Sequence, residues 1–209
     1  MKRILVLIIS LFIMQCFGAF AQGQAGKPEY KEGDSWQYKV SEKDFTADSS
    51  ESLNGNYELT YTQGKFKASF LNGTAKEEMN VSPNEPGELL LLLLGGTQER
   101  PDLKYPLVIG QKWTYQYENT PRGAKRSQTR SVEVVVATDE QVTVPAGTFK
   151  AIKLVKSEWW TGSGKNARRN GQTTTYFFSP DAKAVVKSVL EKDDSGRREI
   201  EMTTFSLAR

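Results

Sequence analysis

The chain has no histidine and only one cysteine among its 209 residues. Without histidine there is no Ser-His-Asp triad and no Cys-His pair, and a lone thiol cannot close an intrachain disulfide. The usual zinc ligand sets, built on Cys and His, are missing as well. A dominant sign of charge is also lacking. The 28 Lys and Arg face 25 Asp and Glu, too even a balance for a nucleic-acid-binding surface. No GxSxG, SxxK, P-loop or EF-hand spacing occurs. Long apolar runs are confined to Ile4–Phe20 and the six leucines Leu89–Leu94.

The first of these runs reads as an export leader. Lys2 and Arg3 precede it, and Ala19-Phe20-Ala21 supplies a small-x-small site before Gln22. The pattern predicts a signal peptide over 1–21, cleaved near Ala21–Gln22, and a periplasmic or secreted product. Cys16 is preceded by the large Gln15 rather than a small residue, so acylation is not expected. Cleavage leaves 188 residues, with 26 basic and 25 acidic side chains and no cysteine. That length suits a single β-rich domain over 22–209, or two similar halves, 22–100 and 101–209.

From Trp36 onward the apolar residues alternate. Trp36, Tyr38 and Val40 share one face; so do Tyr57, Leu59 and Tyr61, then Phe66, Ala68 and Phe70. Trp113, Tyr115 and Tyr117 follow, then Val132, Val134 and Val136, and finally Ile200 and Met202. Period-2 alternation marks strands with one buried side. Gln63-Gly64, Thr138-Asp139-Glu140, Ser179-Pro180-Asp181 and Asp193–Gly196 read as turns between them. The prediction is an all-β fold: an antiparallel meander forming a curved sheet, half-barrel or barrel. One segment breaks the pattern, and a short apolar helix is expected near 87–95. Six leucines in it require burial on most sides, as a plug beneath the sheet or a lid over an apolar cavity.

Gly33-Asp-Ser-Trp36-Gln-Tyr38 is repeated as Gly110-Gln-Lys-Trp113-Thr-Tyr115, 77 residues on. Charge divides along the same seam: residues 22–100 are net −5 and 101–209 net +6.

The inward aromatics Trp36, Tyr38, Trp113 and Tyr115, with Leu90 and Leu93, are the candidate lining of an apolar trough. Two basic loops, with Arg122 and Arg126 in one and Arg168 and Arg169 in the other, are candidate anion contacts. They share one end of the sheet if Thr138–Glu140 is the only reversal between them. They lie at opposite ends if Pro145-Ala146-Gly147 reverses the chain as well. Paired carboxylates are the acid–base route left open without histidine. The pairs present, such as Asp139-Glu140 and Asp193-Asp194, fall in turns and on wet faces, so no catalytic residue, metal or cofactor is assigned.

Val142-Thr-Val-Pro145-Ala-Gly147-Thr-Phe149, with Gly110-Gln-Lys-Trp113-Thr-Tyr115 before it and Tyr176-Phe177-Phe178-Ser-Pro180 after it, resembles a pattern in exported bacterial β-rich proteins of unknown function. The resemblance spans 105–190. Phe177-Phe178 stands where those proteins often carry tyrosine-tryptophan. It implies an envelope or secreted β domain, with no activity attached.

The expectation is therefore an exported, non-enzymatic protein that binds an apolar ligand such as a lipid in a curved sheet. The alternative is a structural or protein-interaction module with a filled core and an envelope protein as partner. A small outer-membrane barrel and a carboxylate-based hydrolase are lesser alternatives.

Overall fold

The computed structural model describes residues 24–43, 54–72, 75–79, 101–120, 127–161, 169–192 and 196–209. The segment near 87–95, with Leu90 and Leu93, lies outside the described residues, as do Arg122, Arg126 and Arg168.

The described residues are strands and turns, with no helix among them. The first strand, β1 (Gln24–Ala25), is followed by β2 (Ser35–Lys43), β3 (Gly55–Thr62), β4 (Lys65–Asn72) and β5 (Ala75–Met79). Then come β6 (Leu107–Val108), β7 (Lys112–Asn119), β8 (Gln128–Val144) and β9 (Gly147–Thr161). The chain finishes with β10 (Arg169–Ser179), β11 (Ala184–Lys192) and β12 (Gly196–Ser206). Ten of these form one antiparallel sheet in the order β5-β4-β3-β2-β12-β11-β10-β9-β8-β7, while β1 and β6 pair separately. It is an open sheet, not a closed barrel: β5 and β7 end the order at opposite edges.

Two meanders, β2–β5 and β7–β12, are joined where β2 pairs with β12. The sheet curls enough for the β8–β9 turn to reach β12, with Ala146 N donating to Met202 O at 3.1 Å. Inside the curve lie Trp36, Tyr38, Leu59, Val134, Leu154, Phe178 and Met202, all buried. The alternation read from the sequence is realised on this concave side, where β-branched and aromatic side chains pack across the pleat.

The turn chemistry is partly as expected. Gln63-Gly64 and Pro180–Lys183 reverse the chain. Thr138–Glu140 does not: it stays inside the long strand β8, where the register slips by one residue between Val136 and Thr138. That is a bulge, which bends a strand without ending it. The reversal lies at Pro145-Ala146, with Gly147 at φ 136°. Proline has no N–H to offer a ladder, and glycine tolerates the positive φ. Phe149 then turns back onto Phe205, with ring centroids 5.6 Å apart. One reversal therefore separates the strand ends that flank 121–126 and 162–168, and these ends lie at the same end of the sheet.

The repeated motif folds twice into the same turn. Gly33 has φ 89° and Gly110 φ 85°. Gly33 N donates to Tyr61 O at 2.9 Å, and Gly110 N to Val136 O at 2.8 Å. The next residue closes the turn in both cases, Asp34 N to Lys31 O and Gln111 N to Val108 O. Its side chain also reaches back to the same residue's N–H, Asp34 to Lys31 and Gln111 to Val108. Each turn launches a Trp-x-Tyr strand, paired as Trp36 with Leu59 and Trp113 with Val134. A side chain at such a φ crowds the following carbonyl. Gly110→Ala should therefore lower stability by about 1–2 kcal/mol, measured by urea unfolding.

Candidate functional site

The concave face is laid out in two parts. Toward the tight turns it is apolar. Tyr30, from the N-terminal arm, packs on Trp36 and Phe66 with centroids at 5.7 and 4.8 Å, and Tyr61 sits against both Tyr30 and Phe66. Toward the other end it becomes polar and ionic while remaining buried.

A strap of chain, residues 101–108, crosses this face. Pro101 O accepts from Trp113 Nε1 at 2.7 Å. Leu103 and Leu107 are buried, and Tyr105 meets Phe178 edge-on at 5.6 Å. Leu107 pairs with Ala25. A plug was expected from the leucine run; among the described residues it is this strap that fills the curve.

Asp102 anchors the strap. Its carboxylate accepts from Lys156 Nζ at 2.9 Å, from Tyr176 OH at 3.0 Å, and from Tyr115 OH. Beside it, Glu158 accepts from Tyr117 OH and Arg130 at 2.8 Å each, and from Gln172 Nε2 at 3.1 Å. Lys156 bridges the two acids, 3.7 Å from Glu158. Arg130 also lies over the Trp160 ring, 3.7 Å from its centroid. Two acids and two cations cancel, as buried charge must. The Tyr115 and Tyr176 hydroxyls are pushed well above the ordinary phenol range, first by burial and then by the Asp102 charge. They remain protonated donors and are unsuited to act as bases or nucleophiles.

The structure brings Trp36, Tyr38, Trp113 and Tyr115 to the concave side, as the alternation implies, and occupies the polar tip of each. Trp36 Nε1 donates to Ala182 O at 2.7 Å and Tyr38 OH to Val185 O at 3.0 Å. Trp113 and Tyr115 hold the strap. Buried aromatics with satisfied donors are core-forming residues. Of the basic residues at this end, Arg198 is buried on Glu42 at 2.6 Å, while Arg197 pairs with Glu191 and Glu199. Arg169 lies over Trp159 on the opposite, convex face, 5.2 Å from the ring centroid.

Asp102, Lys156 and Glu158 were not among the residues singled out by sequence. For two of them a signal exists: counting by twos from Ile152 and Leu154 along β9 places Lys156 and Glu158 inward. Asp102 sits in no periodic segment and has none.

A second concavity opens at the turn end, a cleft of about 560 Å³ between the N-terminal arm (Gly26, Lys27, Pro28, Glu29, Lys31) and Phe178, Pro180, Lys183, Leu207 and Ala208. Asp34, fully buried, ties its walls together. It accepts from Lys31 N at 2.9 Å, Lys183 Nζ at 3.0 Å and Ala208 N at 2.7 Å. Burial raises the pKa of this carboxyl, but the two backbone N–H groups and the ammonium outweigh it and hold the group below its usual range.

No protein-family model matches the sequence, and no curated protein matches it either. Among solved structures, the chain is similar in outline to a protein of Parabacteroides distasonis described as a lipoprotein, at 10% identity and TM-score 0.42, over 87% of this chain and 99% of that one. It is similar also to an exported protein of Bacteroides fragilis with a YmcC-like fold, at 11% identity and TM-score 0.38, with the same coverage. The hypothetical lipoprotein YmcC of Escherichia coli gives 11% identity and TM-score 0.43 over 85% of each chain.

Proposed function

We propose that this chain is an exported, non-enzymatic β-domain, periplasmic or secreted after loss of residues 1–21, that binds an apolar ligand in the cleft beneath its N-terminal arm. The observation that carries the proposal is the cleft itself. Its 560 Å³ lies within the usual range for ligand sites. It pairs an apolar side (Pro28, Phe178, Pro180, Leu207) with Lys27 and Lys31, beside Glu29, while Lys183 in the same lining is bound to Asp34. A lipid with an anionic head group matches that division. The trough first expected to hold the ligand is crossed by the strap, and its aromatics are bonded to protein. The absence of an enzymatic role is supported by the cluster's chemistry, since Asp102 and Glu158 each already accept three donors.

A second reading, a filled-core module that binds an envelope protein, is favoured by the same strap. Native mass spectrometry of the protein exported by a bacterial host, then mixed with palmitate, separates the two. Cleft binding predicts an adduct of fatty-acid or lipid mass, lost in Leu207→Asp and in Gly26→Phe. Gly26 has room for a larger side chain, since an added Cβ meets nothing within 4 Å. An adduct that survives both changes places the ligand elsewhere. No adduct at all leaves the interaction module.

A further inference from the structure

We propose that the convex face around Trp159 is a saccharide-binding platform, independent of the cleft. From Ile152 onward on β9 the inward positions are even-numbered, so Ser157 and Trp159 face outward. Their cross-strand partners share that face: Ser131 and Gly171 beside Trp159, and Glu133 and Thr173 beside Ser157. Gly171 brings no side chain to the position opposite the indole. The result is a depression of about 290 Å³ lined by Ser157, Trp159, Arg169, Gly171 and Thr173, with Asn170 and Gln172 also at its walls.

The chemistry of this lining is specific. It combines one flat apolar ring, half-buried and rigidly mounted on a strand, with the hydroxyls of Ser157 and Thr173 along one side and the Arg169 guanidinium over the ring, 5.2 Å from its centroid. A pyranose ring is complementary to that set, because it offers a C–H face for the indole and a rim of hydroxyls for the polar groups. A wholly apolar ligand would strand the Ser157 and Thr173 hydroxyls and the Arg169 guanidinium against hydrocarbon. A nucleic acid would require several cations to track phosphates, and among the described residues Arg169 is the one cation lining the depression. Glu158 also contributes to the lining, but its carboxylate is turned into the buried cluster on the other face.

The test is saturation-transfer NMR of the folded protein with maltotetraose, cellotetraose and chitotetraose as probes. At least one should bind, and Trp159→Ala should weaken it at least tenfold while Trp159→Phe retains part of the affinity. Gly171→Val guards against an unfolded variant. It replaces a strand glycine by a good strand former, so stability should hold or rise while the depression fills and binding is lost. Failure of all three probes to bind at millimolar concentration overturns the proposal. So does binding that persists in Gly171→Val or survives Trp159→Ala undiminished.

Discussion

Asp102→Ala should cost about 3–5 kcal/mol of unfolding free energy, because it leaves the Lys156 ammonium buried with its main partner gone. Tyr115 and Tyr176 lose their acceptor in the same step. Yet the acid is not stabilising in itself. Withdrawing two charges from water is expensive, and well-packed apolar replacements of both partners are often neutral or better. The double variant Asp102→Leu, Lys156→Met should therefore recover most of the loss, with Glu158 still held by Arg130, Tyr117 and Gln172. Urea midpoints at constant m-value decide the matter. A single variant within 1 kcal/mol of the parent would show that the strap is not pinned by this acid. A double variant as damaged as the single one would show that the network matters beyond its charge.

The second large effect concerns Asp34. Asp34→Ala removes an acceptor shared by the N-terminal arm, the β10–β11 turn and the C-terminal tail. About 3 kcal/mol is expected, at the low end for a buried pair because the Lys183 side chain is 21% exposed and partly solvated. The pH dependence follows from a carboxyl pKa that is lower folded than unfolded. Its stabilisation is fully present above the unfolded value, roughly pH 4, and is lost as pH falls through the folded one. The gap between parent and Asp34→Asn in urea should accordingly be constant from pH 7 to about 5 and narrow in stronger acid. A gap that widens in acid would contradict this linkage.

The fold was legible because its signal is periodic. Trp36-x-Tyr38-x-Val40 and Val132-x-Val134-x-Val136 show which side of the sheet is dry without any tertiary knowledge. The Gly-x-x-Trp-x-Tyr repeat was visible too, but only the hydrogen bonds show that Gly33 and Gly110 sit in the same turn. Two features escaped. Thr138-Asp139-Glu140 has turn composition but folds as a bulge inside β8, since the pairing of β8 with β9 on both sides of it overrides local preference. The strap escaped because Asp102 and Tyr105 work through contacts with strands far along the chain, which leave no pattern in neighbouring residues. Trp36 and Trp113 were correctly placed inward, but their donors find Ala182 and Pro101 carbonyls. Alternation tells which way a side chain faces, not whether a ligand or the protein itself waits there.

The joint between β2 and β12 has a temporal consequence. Tyr38 pairs with Met202 and Val40 with Ile200, partners more than 150 residues apart in sequence. Such contacts give a chain high contact order, and the entropy of closing the intervening loop is spent before the contact returns anything. The first meander can pair within itself as it leaves the ribosome, but its inner edge has no neighbour until residue 206 has been made. For the exported chain proposed above, this delay is useful. The polypeptide remains short of its final, compact state throughout synthesis, and the last strand to be translated completes the sheet.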